Sequence, residues 1–234
     1  MVATFLGARD QSGIAHSSRM VLATADTPPY SDQDGTGLYD ELLQRVFTNL
    51  DISLTIRHLP SERGLIEADQ GRIDGEFART GLVADEYPNL LRVPAPLSTW
   101  DFVAITRSDT PPPESFGELG EYHVAFINGW KVFETNVTDY RSLTLVENEE
   151  QLFAMLLAEH VEVVLYGRLR AADWMQRHSD TSLTVGEVPL IRRPMYLLLH
   201  RKHADLISRI AAEITRVRDT YPGDESRSKR SSTR

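Results

Sequence analysis

Leu59-Pro60-Ser61-Glu62-Arg63 through Gly71-Arg72-Ile73-Asp74-Gly75, ending at Arg79-Thr80, reads as four pieces in succession. These are a short amphipathic helix, a Gly-Arg turn, a short apolar strand, and polar residues where that strand should end. A similar pattern returns about 88 positions later, where Glu62 falls on Glu150, Leu65 on Phe153, Ile73 on Val161 and Asp74 on Glu162. Each copy has an acidic first helical turn, a short break, and a β-branched strand opened by an acidic residue. Two such copies, each followed by candidate ligand-facing residues at a strand end, predict two similar α/β lobes facing each other.

The flanking chain extends the pattern. Residues 20–25 (MVLATA) are a compact apolar run and a first strand, broken at Asp26-Thr27-Pro28-Pro29-Tyr30 because consecutive prolines cannot continue a ladder. Asp34-Gly35-Thr36-Gly37 then turns into a helix whose stripe is Leu38, Leu42, Val46 and Leu50. Ile52, Leu54 and Ile56 alternate with polar neighbours as a half-buried strand. This β-α-β unit makes the two strands parallel, since such crossovers are right-handed. Helix 61–70, strand 73–78 and strand 102–106 follow, and Thr110-Pro111-Pro112-Pro113 is a stiff surface break.

The second lobe opens with strand 124–127, and Asn128-Gly129-Trp130-Lys131 turns into a helix reaching about Val137. Helix 148–158, strand 161–166, helix 168–178 and strands 185–188 and 194–199 come next. A last helix, 204–221, carries Leu206, Ile210 and Ile214 at helical spacing and should pack back on the first lobe. The expected division is an N-terminal extension at 1–18, lobe 1 at 19–108 and 191–222, lobe 2 at 109–190, and a tail at 223–234. Two crossings between lobes make a hinged cleft.

Composition narrows the function classes. With 41% hydrophobic and 25% charged residues the chain lies in the range of soluble globular proteins. A net charge of −9 argues against a nucleic-acid partner. The charge is uneven: residues 225–234 carry +3, a basic tail that reads as a disordered end or linker. Without cysteine there is no disulfide, thiol nucleophile or thiolate metal site. No apolar run reaches the roughly 18 residues a membrane span needs, and no signal peptide is visible at the N-terminus.

Ligands of open α/β sheets bind beyond the carboxyl ends of strands, beside helix starts. That rule selects Asp26, Tyr30, Arg63, Arg79, Thr80 and Trp100 from the first lobe, and Asn128, Trp130, Lys131, Tyr166 and Arg168 from the second. Several have bland alternatives. Tyr30 could staple the proline turn, Arg63 could be a surface helix charge, Arg79 could be half of a buried pair, and Trp130 could be core. Tyr39 and Asp40 lie inside the helix and read as packing and solvation. The seven histidines form no H-x-x-x-H pair, and no nucleophile elbow, Walker A loop or dinucleotide fingerprint is present. No metal, cofactor or enzyme is therefore expected.

The order of these motifs resembles the type II periplasmic solute-binding proteins of family 3, which serve amino-acid uptake. The carrying residues are 23–30 (ATADTPPY), 37–43 (GLYDELL), Gly71-Arg72-Ile73-Asp74-Gly75, Val93-Pro94-Ala95-Pro96 and the turn at 126–131. The resemblance covers roughly residues 18–222. It implies an α/β, two-lobed fold, each lobe a mostly parallel sheet flanked by helices, joined by two hinge crossings. It also implies a small-molecule ligand, an ABC transporter permease as partner, and a periplasmic location. In that family an arginine shortly after the Gly-Arg-Ile-Asp strand holds the ligand carboxylate, and an acidic residue after the lobe 2 strand takes the ammonium. Here the first stretch runs Arg79-Thr80-Gly81-Leu82-Val83-Ala84-Asp85-Glu86-Tyr87, without the usual Thr-Pro-Glu-Arg, and the second reads Tyr166-Gly167-Arg168. The expectation is a small polar solute with an acidic group and no ammonium. An extracytoplasmic sensor is the alternative, and an enzyme on the same scaffold a third, testable at Asp26 or Glu62.

Overall fold

The computed structural model describes residues 18–81, 86–179 and 182–220. Apart from Ser18, the expected N-terminal extension and basic tail lie outside the described residues. The first half is β1 (Ser18–Thr24), α1 (Leu38–Asn49), β2 (Ile52–His58), α2 (Ser61–Asp69), β3 (Gly75–Thr80) and β4 (Leu90–Arg92). A ten-residue strand, β5 (Ser98–Arg107), leads into β6 (His123–Ile127), α3 (Lys131–Asn136), β7 (Ser142–Val146), α4 (Glu149–Leu157), β8 (Val163–Gly167), α5 (Arg168–His178) and β9 (Leu183–Val185). A second ten-residue strand, β10 (Ile191–His200), returns to α6 (Ile207–Thr220). Several strands differ from expectation: β9 lies at Leu183–Val185 rather than at 185–188, and β10 begins three residues early, at Ile191. Strands β4 and β7 are short and partly exposed, with too few alternations to stand out in the sequence, and β5 begins four residues early, at Ser98.

The sheet order is β2-β1-β3-β10-β5-β8-β6-β7, with β4 on β10 and β9 on β5. It is nearly palindromic. Strand β1 pairs parallel with β2 and β3, as β6 does with β7 and β8. Each trio is then closed by an antiparallel strand that arrives from the other part of the chain, β10 on β3 and β5 on β8. Because β5 and β10 also pair with each other from Ser98 to Phe102, they are the two connections between lobes.

The repeat is kept residue by residue. Helices α2 and α4 both have nine residues, and they start at 61 and 149, while β3 and β8 start at 75 and 163. Its acidic residues have the same task in both halves. Asp74 donates its backbone N–H to the Val21 carbonyl and accepts the Val21 N–H on its carboxylate, both at 2.8 Å. Glu162 makes the same two bonds with His123, both at 2.9 Å. Each acid thus locks the entry of its strand to the strand beside it, satisfying backbone groups that the ladder leaves open.

The proline turn is tied to α1 by a buried charge. Asp40 is fully buried, and its carboxylate accepts from the Ser31 hydroxyl (2.6 Å) and the N–H groups of Asp32 (2.9 Å) and Gly37 (3.1 Å). These bonds make a buried carboxylate tolerable, so Asp40 is an anchor rather than a solvated helix charge. A Cβ on Gly37 would come within 2.5 Å of the Ser31 backbone, so only glycine fits there. Helix α6 packs on α1, with Asn49 Nδ2 donating to Glu213 Oε1 at 2.7 Å, which returns the chain end to the first lobe.

Candidate functional site

The cleft is built around an aromatic series that crosses from one half to the other. Tyr39, Tyr30, Trp100, Trp130 and Tyr166 follow one another with ring centroids 5.0, 4.6, 6.3 and 5.0 Å apart. Tyr30 is only 3% exposed and stacked on both sides, so it does staple the turn. The indole N–H of Trp100 donates to the Tyr39 hydroxyl at 2.7 Å, which holds the ring at the centre of the series. Trp130, at the start of α3, stacks on Phe133 and on Tyr166 and remains partly exposed. The Tyr166 hydroxyl donates to Glu149, and burial raises its pKa further, so it stays a neutral phenol.

Charge enters this aromatic frame from three elements. Arg170, in the first turn of α5, lays its guanidinium against the faces of Trp100, Trp130 and Tyr166, with its central carbon 5.9, 5.9 and 5.7 Å from the ring centroids. Its Nη1 is 3.8 Å from Asp26 Oδ1 and its Nη2 donates to the Thr27 hydroxyl, both beyond the end of β1 in the opposite lobe. On β3, Glu76 is fully buried and accepts from Arg79 Nε at 3.0 Å. The Glu76 carboxylate lies against the first turn of α2, where a Cβ on Gly64 would come within 3.0 Å of Oε1.

Residues 76 and 79 can pair only because β3 is irregular. Side chains three apart on a strand point to opposite faces. Ala78 interrupts the alternation: its φ is +63°, and the register against β10 shifts between Tyr196 and Leu197. This bulge turns Arg79 onto the face of Glu76.

Both carboxylates in the cleft hold protons unusually well. Burial pushes Asp26 up to about 6, against the opposing pull of Arg170 and Arg79. Burial likewise pushes Glu76 up to about 7, outweighing the adjacent Arg79 guanidinium. Asp26 Oδ2, Glu76 Oε2 and Arg170 Nε are buried without a hydrogen-bond partner among the described residues. Groups of this kind normally find one.

The expected site residues divide into two sets. Asp26, Tyr30, Trp100, Trp130 and Tyr166 come together in the cleft, and Arg79 borders it as the partner of Glu76. The others are held elsewhere. Arg63 is 64% exposed and pairs with Glu67 at 2.9 Å along the outer face of α2. Lys131 is 80% exposed and pairs with Glu134 at 2.8 Å, and Asn128 is exposed. Arg168 bonds the Glu187 carbonyl (2.8 Å) and faces Asp101 (3.5 Å), which also takes Arg192 (3.0 Å), so it braces the crossing strands. Thr80 ends β3 opposite Met195.

Sequence reasoning missed Arg170, Thr27 and Glu76. Helical phase alone does not separate the two arginines, because Arg170 precedes the buried Trp174 by four residues and Arg168 precedes the buried Ala171 by three. Glu76 could have been noticed as a charge in the middle of the expected strand 73–78, between Gly75 and Phe77.

No protein-family model and no curated protein sequence matches the chain. Solved structures do. The GluR0 ligand-binding core in complex with L-glutamate superposes with a TM-score of 0.76 at 15% identity, covering 88% of this chain and 94% of that one. The arginine-bound form of a truncated ArgBP from T. maritima gives 0.67 at 16% identity, over 86% and 96%. A histidine kinase sensor domain with similarity to periplasmic binding proteins gives 0.70 at 17% identity, over 92% and 96%. At these identities the likeness is one of fold, and this chain has the two-lobed α/β fold shared by amino-acid-binding proteins and receptor ligand-binding cores.

Proposed function

We propose that the protein reversibly captures a small polar solute between its lobes, by closure of the cleft around it. The division is lobe 1 at 19–108 and 191–222 and lobe 2 at 109–190. The observation that carries this reading is a pair of buried atoms without a hydrogen-bond partner among the described residues, Asp26 Oδ2 and Arg170 Nε, which come from opposite lobes and meet where Arg170 lies on the aromatic frame. A solute with an acidic group supplies acceptors for Arg170, and its apolar part packs on Trp100 and Trp130. The ligands named for similar folds, L-glutamate and L-arginine, are the first probes. A ligand at 100 Kd adds about 2.7 kcal/mol to stability, so thermal unfolding against a panel of amino acids and small acids tests the reading. A panel with no shift from any solute rejects it.

In the uptake role the closed protein delivers its solute to an ABC transporter permease from an exported, periplasmic position. The likeness to a sensor domain and to a receptor core favours a second role, in which closure signals to a partner. The two separate by whether the solute-loaded protein stimulates a permease or a kinase. Both roles are those of a binding module rather than an enzyme.

A further inference from the structure

Among the described residues Arg170 makes one hydrogen bond, to Thr27, and one longer ionic contact, to Asp26, although its side chain is only 11% exposed. Its Nε has no hydrogen-bond partner among the described residues, and neither does Asp26 Oδ2. Buried arginines frequently use their fork in paired hydrogen bonds to a carboxylate. Here the guanidinium is held mainly by three ring faces, one on the crossing strand β5 and two in the second lobe, while its polar contacts reach into the first. The geometry is that of a bound cation that happens to be attached to the chain.

We propose that Arg170 is a resident occupant of the cleft: its guanidinium bridges the lobes by its contacts to Thr27 and Asp26, and an acidic solute binds by replacing those contacts. This rests on the cleft being the solute site. The exchange is cheap because few hydrogen bonds are broken, and an incoming acidic group can take the guanidinium from Asp26 while the rings stay in place. Arg170 is thereby also the residue that sets specificity, since the box it fills is denied to free guanidinium and ammonium compounds. Removing the side chain should turn the box into a receptor for the group it lost.

The probe is methylguanidinium at about 10 mM, far below denaturing concentrations. Solute-free Arg170→Ala should have a larger radius of gyration by small-angle X-ray scattering than the natural protein. Methylguanidinium should contract it, raise its thermal midpoint and alter its tryptophan fluorescence, at concentrations at least tenfold below any effect on the natural protein. If Arg170→Ala is as compact as the natural protein, or if methylguanidinium affects both alike, the proposal is overturned. Should that variant not fold, Thr27→Ala reads the same closure. It removes the hydrogen bond that Arg170 makes across the cleft, at an exposed position, and it should expand the solute-free protein; unchanged compactness overturns the proposal. If both arms succeed while no solute binds the natural protein, the resident guanidinium stands and the solute-capture reading falls.

Discussion

Glu76 and Arg79 share one face of β3 although three residues separate them, and Ala78 with its φ of +63° makes this possible. A β-branched residue in that backbone conformation is disfavoured by about 1–3 kcal/mol. Ala78→Val should therefore lower stability by about that amount in urea unfolding, whereas Ala78→Gly should stay within about 1 kcal/mol of the natural protein.

The protonation of Glu76 makes stability fall with rising pH. Its folded pKa of about 7 lies above the ordinary 4.5, so its stabilising contribution is full below about pH 4.5 and is lost as pH rises through about 7. Asp26 acts in the same direction between 3.8 and about 6. From about pH 5 to pH 8 Glu76 alone should cost about 2–3 kcal/mol. Chemical unfolding of Glu76→Gln across that range should show a profile flatter by this amount, and an unchanged slope would remove Glu76 from the account.

Asp74 is tied to the first strand, to Lys202 (2.8 Å) and to His203 (2.7 Å), while among the described residues Glu162 has the strand bonds and a distant Arg141 (4.0 Å). Asp74→Ala should cost about 1–3 kcal/mol and Glu162→Ala less, because Glu162 is more exposed. With no shared partner the two losses should add within about 0.5 kcal/mol in the double variant.

Gly37 permits the close approach of α1 to the proline turn. Gly37→Ala should displace Ser31 and lower stability by about 1–3 kcal/mol. Loss of amide protection at Asp32 and Gly37, read by hydrogen exchange, should accompany it, since both N–H groups bond Asp40.

The elements and their duplication were legible in the sequence because they follow from local period. The stripe of α1, the proline break after β1 and the acidic residues Asp74 and Glu162 each declare themselves within about a dozen residues. The aromatic half of the cleft was legible too, since Trp100, Trp130 and Tyr166 stand on or beside strands. The choice among the arginines was not. Arg79 meets Glu76 through a bulge whose register is set against β10, more than a hundred residues away, and Arg170 meets Thr27 across 143 positions. Arg168 and Arg170 look alike as letters, and only the rotation of α5 against the sheet sends one to the crossing strands and the other into the cleft. Periodicity determines which face of an element is buried; what a charged side chain finds there depends on the elements that fold against it.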